Sequence, residues 1–127
     1  MRLTMLKSKI HRARVTATNL NYEGSLSLDK ELMKIADILP YEQIEVVNLN
    51  SGARFTTYAI EGGKGEVCLN GAAARLAKKG DTVIIMTYAQ FDETELGSFI
   101  PTIVHVNKDN SILAAGPARE AGGLYAL

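Results

Sequence analysis

The stretch NYEGSLSLD, residues 21–29, sets a glycine directly before a serine. In that arrangement the serine hydroxyl can attack the carbonyl of the preceding residue and move the acyl group from nitrogen to oxygen. Gly24 at the attacked position lets the backbone reach the torsions this approach needs. The ester so formed can lose its acyl oxygen by elimination, leaving a dehydroalanine that hydrolyses to a pyruvoyl group. A chain that does this makes an electrophilic ketone from Ser25 without acquiring a cofactor. The plain alternative is a turn or a helix cap, for which Gly, Ser and Asp are the usual residues. The tripeptide Glu23-Gly24-Ser25 does not by itself separate the two.

Other chemistries have less behind them. His11 and His105 are far apart in sequence and belong to no spaced ligand motif, so no metal site is expected. Cys68 is the single cysteine, which excludes an internal disulfide and a cysteine-based zinc site. Between Val67 and Leu69 it reads as a small buried hydrophobe. EGGKGEV, residues 61–67, lacks the G-x-x-x-x-G-K-[ST] pattern, and no G-x-S-x-G elbow occurs. Asn70-Gly71-Ala72-Ala73 would offer backbone N–H groups at the start of a short helix with no bulky side chain in the way. Such a turn can hold a carboxylate, although a simple Asn-Gly turn fits the letters as well.

The elements that must position these residues are short strands. Strict alternation from Ala13 to Ala17 suggests a half-buried strand. LDKELMKIADILP changes period, placing Leu28, Leu32, Ile35, Ala36 and Leu39 on one helical face, with Asp29 to cap it and Pro40 to stop it. QIEVVNLNSGARFTTYAI reads as a hairpin turning at Asn50-Ser51-Gly52. VCLN is a short strand before the alanine-rich turn, TVIIMTYAQF a buried strand, and TIVHVN an alternating one. DETELGSFIP reads as a loop, and the tail from Gly116 has no clear period and is expected to be free of the domain and mobile. With 127 residues, 46% hydrophobic and 22% charged, the chain is expected to form one mainly β domain of small-barrel type with short helices. Fourteen basic residues balance fourteen acidic ones, so no nucleic-acid or anionic-membrane partner is expected. The first fifteen residues hold no uninterrupted apolar run, and the expectation is a cytoplasmic setting.

Four separated blocks carry a resemblance. MLKSKIHRARVT, LNYEGSLSLD, NLNSGARFTTYAI and LNGAAARL, followed by the GDTVII strand, resemble in order the pyruvoyl-dependent aspartate 1-decarboxylases. The resemblance implies a six-stranded double-psi β-barrel, a cytoplasmic homotetramer with sites at subunit boundaries, and self-cleavage between Gly24 and Ser25. That would leave a short chain, residues 1–24, and a longer one, residues 25–127. It further implies conversion of L-aspartate to β-alanine and CO2 through a Schiff base on the Ser25-derived pyruvoyl group, feeding pantothenate synthesis.

Roles follow from the same resemblance. Ser25 would be the pyruvoyl precursor, and Tyr58 the proton donor to the carbon that loses carboxylate. Thr57 would assist self-cleavage and contact substrate, and Asn70 would orient the scissile peptide. Arg54 and Lys9 would hold the two carboxylates of aspartate, with Gly71, Ala72 and Ala73 offering backbone donors. Tyr22 lies close enough in sequence to line the same pocket, and the role of His11 stays open. Neighbouring strand residues point to opposite faces, so Thr57 and Tyr58 share a pocket only if the strand is irregular. Otherwise they serve neighbouring sites across a subunit boundary. Two other functions fit the sequence: an uncleaved barrel acting as a binding module, and pyruvoyl chemistry on another acidic amino acid.

Overall fold

The structure, a computed structural model, describes residues 1–118. Nine strands make up most of it: β1 (Arg2–Arg14), β2 (Ala17–Asn19), β3 (Ser25–Asp29), β4 (Gln43–Asn48), β5 (Arg54–Gly62), β6 (Val67–Asn70), β7 (Thr82–Asp92), β8 (Thr102–Val106) and β9 (Ile112–Pro117). One short α-helix, α1 (Lys30–Ile35), and two 3-10 turns, Gly71–Leu76 and Glu93–Ser98, join them. The strands run β2-β6-β3-β5-β4-β7-β1-β8-β9 across the sheet, so early and late parts of the chain interleave. Three of the pairs, β1 with β8, β2 with β6 and β3 with β5, are parallel.

One core lies inside this wrapped sheet. Ile10, Leu26, Leu28, Ile44, Val46, Val67, Leu69, Val83, Ile85 and Val104 come from six strands and join a single buried cluster. Leu32 and Met33 of α1 close one side of it. The mainly β barrel class with short helices therefore agrees with the sequence expectation. Among the described residues the sheet has nine strands, with β2 and β9 at its two ends.

Local differences have local causes. β1 begins at Arg2 and ends at Arg14. The alternating stretch expected as one strand, Ala13 to Ala17, instead spans the end of β1, Val15-Thr16 outside any strand, and the start of β2. Two register shifts against β7 break the period of two within β1. Arg12, at φ 67°, sits in the second of these irregularities. The helix is shorter than its apolar spacing suggested. Leu28 belongs to β3, α1 starts at Lys30, and Ile35 and Leu39 are exposed. Asp29 does cap it, its Oδ1 accepting from the amides of Glu31 at 2.8 Å and Leu32 at 3.4 Å. The segment expected as a loop after β7 contains the turn Glu93–Ser98. Gly116 and Pro117 pair in β9, and the rest of the expected free tail, from residue 119, lies outside the described residues.

A buried asparagine ties three loops together. Asn110, 1% exposed and at φ 66°, donates from Nδ2 to the carbonyls of Arg14 and Gly65, both at 2.9 Å. Its Oδ1 accepts from the Arg14 amide at 2.7 Å. Asparagine tolerates the left-handed conformation and its amide satisfies both donor and acceptor needs at once. Asn110→Ala leaves those main-chain groups without their partner and should cost about 2–4 kcal/mol in urea unfolding. An unchanged urea midpoint would show that water replaces the side chain.

Candidate active site

β3 begins at Ser25 and β6 ends at Asn70, and the antiparallel register sets these two residues directly opposite each other. Ser25 is 1% exposed and Asn70 3%, so neither polar group has bulk water to fall back on. Asn70 Nδ2 donates to Ser25 Oγ at 3.0 Å and to Ser27 Oγ at 2.9 Å. The Ser25 hydroxyl in turn donates to the Glu23 carbonyl at 3.1 Å. On the other side of Asn70, its Oδ1 accepts from the Cys68 thiol at 3.4 Å. Burial and then Glu66 raise the Cys68 pKa, which suits a packed thiol and not a nucleophile.

Gly71 completes the enclosure. At φ 64° it takes a conformation that favours glycine, and a Cβ there would stand 2.7 Å from both N and Cα of Gly24 and 3.0 Å from the Tyr22 carbonyl. Gly24 differs. Its φ lies outside the left-handed region and the space where a Cβ would stand is open. In the intact chain the demand for glycine therefore falls on position 71, whose bare backbone packs against the Gly24 side of the bond.

A cavity of about 330 Å³ opens over Ser25, lined by Tyr22, Glu23, Pro40, Tyr41, Tyr58, Ile60 and Glu61. Tyr58 arrives from the other neighbour of β3. Leu26 pairs with Ala59, both fully buried, so one step back along the ladder Ser25 comes level with Tyr58. Alternation then turns both side chains away from the core and into the cavity. Thr57 behaves otherwise. β5 pairs with β4 in unbroken register from Arg54 to Tyr58, and Thr57 lines a second depression with Tyr41, Gln43, Thr56 and Tyr58. The strand is regular, and Thr57 does not line the Ser25 cavity.

The two cations lie elsewhere. Lys9 pairs with Met86, and Met86 with Glu45, across β1, β7 and β4. Arg54 Nη2 sits 3.6 Å from Glu45 Oε1, its side chain 60% exposed. Lys9 and Arg54 thus share an outer face of the sheet, and neither lines the cavity over Ser25. Tyr88 OH donates to the same Glu45 at 3.0 Å, and burial followed by this bond raises its pKa. Ala72 and Ala73 follow Gly71 in the 3-10 turn but do not line the cavity.

Two contributors carried no sequence signal. Tyr41 and Glu61 enter the cavity wall only through the fold. The histidines, far apart in the chain, are also brought together: His11 pairs with His105 across β1 and β8, with ring centroids 5.1 Å apart, edge to face. Burial, then Lys9, His105 and Arg12, lower the His11 pKa from 6.5 to about 4.

A serine fixed by an asparagine and facing a tyrosine, on a mainly β barrel, is the setting in which the comparisons with known proteins fall. The class is that of the decarboxylases: the family model for aspartate decarboxylase matches residues 1–113. The chain belongs to the aspartate decarboxylase family. It is 60% identical over 118 residues to the aspartate 1-decarboxylase of Syntrophobacter fumaroxidans, covering 91% of this chain and 95% of that one. To the aspartate 1-decarboxylase of Thermoanaerobacter pseudethanolicus it is 54% identical over 112 residues, covering 87% and 96%. The Staphylococcus aureus enzyme of the same name is also 54% identical over 112 residues, covering 87% and 88%.

Gly71→Ala forces its methyl against Gly24, so the variant should lose thermal stability and slow any cleavage at Gly24–Ser25, both read from a melting curve and intact mass. For His11 the sign follows from its lowered pKa. Between pH 6.5 and 4 the unfolded chain takes up a proton that the folded chain refuses, so stability falls as pH drops through that window. The melting temperature of His11→Asn should therefore decline less steeply than the wild type's across it. Equal slopes would remove His11 from the acid response.

Proposed function

We propose that the chain cleaves its own Gly24–Ser25 bond and then decarboxylates L-aspartate to β-alanine and CO2. The observation that carries this reading is the Asn70–Ser25 hydrogen bond, 3.0 Å long, at the buried floor of a cavity that Tyr58 also lines. Asn70 would fix the hydroxyl against the main chain beside it, the orientation that an attack on the Gly24 carbonyl requires. The groups fit the product as well as the precursor. A pyruvoyl group at position 25 would sit where Ser25 now does, with the Asn70 amide as a donor to its oxygen. When formed, it supplies a ketone that condenses with the substrate amine and takes up electrons as CO2 leaves.

The remaining work falls to side chains. Tyr58 would deliver a proton to the carbon that has lost carboxylate, since its phenol faces the same cavity. Thr57 would act on self-cleavage or substrate from the opposite face of β5. Gly71, Ala72 and Ala73 would offer backbone donors at the edge of the site. Arg54 and Lys9 would hold the substrate carboxylates, Arg54 through its planar fork. Among the described residues the cavity wall has Glu23 and Glu61 but neither cation, so a dianion needs positive charge from another copy. This supports a homotetramer with sites at subunit boundaries. The setting would be cytoplasmic, with β-alanine passing to pantothenate synthesis; no described helix is long and apolar enough to cross a membrane.

Intact mass tests the maturation. The active protein should give two fragments, the longer lighter by one ammonia than a serine-led piece, whereas one uncleaved species favours a binding module. Aspartate, glutamate and cysteine sulfinate offered side by side identify the acid. Ser25→Ala should abolish both cleavage and turnover. Tyr58→Phe should still cleave while kcat falls about 10²–10⁴-fold; unchanged kcat would take Tyr58 out of the chemistry.

A further inference from the structure

Tyr41 occupies a conformation that its side chain makes costly. Its φ is 70°, in the left-handed region that bulky residues rarely enter. The residue is 77% exposed, so core packing gives little in return. The backbone around it is firmly held. The Tyr41 amide donates to the Ala59 carbonyl at 2.7 Å, and the Ala59 amide donates to the Glu42 carbonyl at 3.0 Å. The Glu42 carboxylate accepts from the Leu39 amide at 2.9 Å and from Lys7 Nζ at 2.6 Å. A strained residue fixed this tightly, with little burial of its own, calls for a function.

The ring's position supplies one. Its centroid is 6.3 Å from that of Tyr58, with the planes tilted by 35°, within the range of favourable aromatic pairs. Tyr41 lines the cavity over Ser25 and also the depression on the Thr57 side, so its ring forms the wall between them, against Tyr58. The cavity, about 330 Å³, is at the small end of ligand sites, where one aromatic wall decides what enters.

We propose that Tyr41 is a specificity-determining and positioning residue: its ring bounds the Ser25 cavity, limits the acid admitted to the length of aspartate, and holds the Tyr58 ring in place. This rests on Ser25 being the reacting centre. An acid one methylene longer would have to displace the ring, and loss of the ring would leave Tyr58 free to turn away from the reacting carbon.

The test uses the full-length protein as wild type, Tyr41→Gly and Tyr41→Phe, with intact mass scoring cleavage at Gly24–Ser25 in each. Glycine accepts the φ of position 41, so the Gly variant should mature like wild type and melt no lower. Its kcat on aspartate should fall about tenfold, and its aspartate-over-glutamate ratio of kcat/KM should also fall about tenfold. Tyr41→Phe keeps the ring and should retain both values. Should the Gly variant mature poorly, Tyr41→Asn, which also tolerates this φ, takes its place. A matured Gly or Asn variant with kcat and the ratio both within about twofold of wild type overturns the proposal. So does a Phe variant that loses as much as the Gly one. An uncleaved wild type is seen before any variant is scored; it refutes the Ser25 reading and the Tyr41 proposal with it.

Discussion

The hydrogen bond from Asn70 to Ser25 is the interaction on which the rest of the site depends. Both residues are strand ends, and both are buried, so their polar groups rely on protein partners: each other, the Glu23 carbonyl, Ser27 and Cys68. The β3–β6 register brings them face to face, and Gly71, the next residue after Asn70, packs its bare backbone against Gly24. A one-residue slip between these strands would turn Ser25 into the core and Leu26 into the cavity. The core itself prevents that slip. Leu26, Leu28, Val67 and Leu69 are fully buried on the inward side of the same two strands. Removing each of them from water contributes about 1.5–3 kcal/mol that the slipped register would lose.

A second constraint is the separation of the cations Lys9 and Arg54 from Ser25. Glu23 and Glu61 stand in the wall of the cavity, while Lys9 and Arg54 lie on an outer face of the β1–β7–β4–β5 portion of the sheet. Alternation puts Arg54 and Tyr58 on one face of β5, so Arg54 stays out of the cavity by its distance along the strand. A site for a dianionic substrate would then be completed by the outer face of another copy. The partly exposed Arg54–Glu45 contact itself contributes little to stability, as such surface pairs do.

Much of this was legible in the letters, and the reasons differ by residue. Gly24-Ser25 and Asn70-Gly71 were readable as candidates although a plain turn fits both pairs, and the hairpin at Asn50-Ser51-Gly52 was marked by its turn chemistry. The extent of β1 was hidden, because bulges interrupt the alternation that identifies a strand. The helix was overextended because Leu28 and Leu39 fit a helical spacing although one ends in a strand and the other in a turn. Pairings between distant segments leave no periodic trace at all. The His11–His105 contact depends on a parallel β1–β8 ladder, and Tyr41 reaches the cavity only because its turn is bonded to Ala59. The need for glycine at 71 and not at 24 is likewise a property of packing between two turns.

The account stands on Ser25 becoming a carbonyl that captures the substrate amine. Incubating the purified, active protein with aspartate and borohydride, then digesting it, reads this directly by mass spectrometry. The account predicts a stable amine adduct on the peptide that begins at position 25. A preparation that releases CO2 from aspartate yet shows an unmodified serine there, with Gly24 still joined to it, would contradict it.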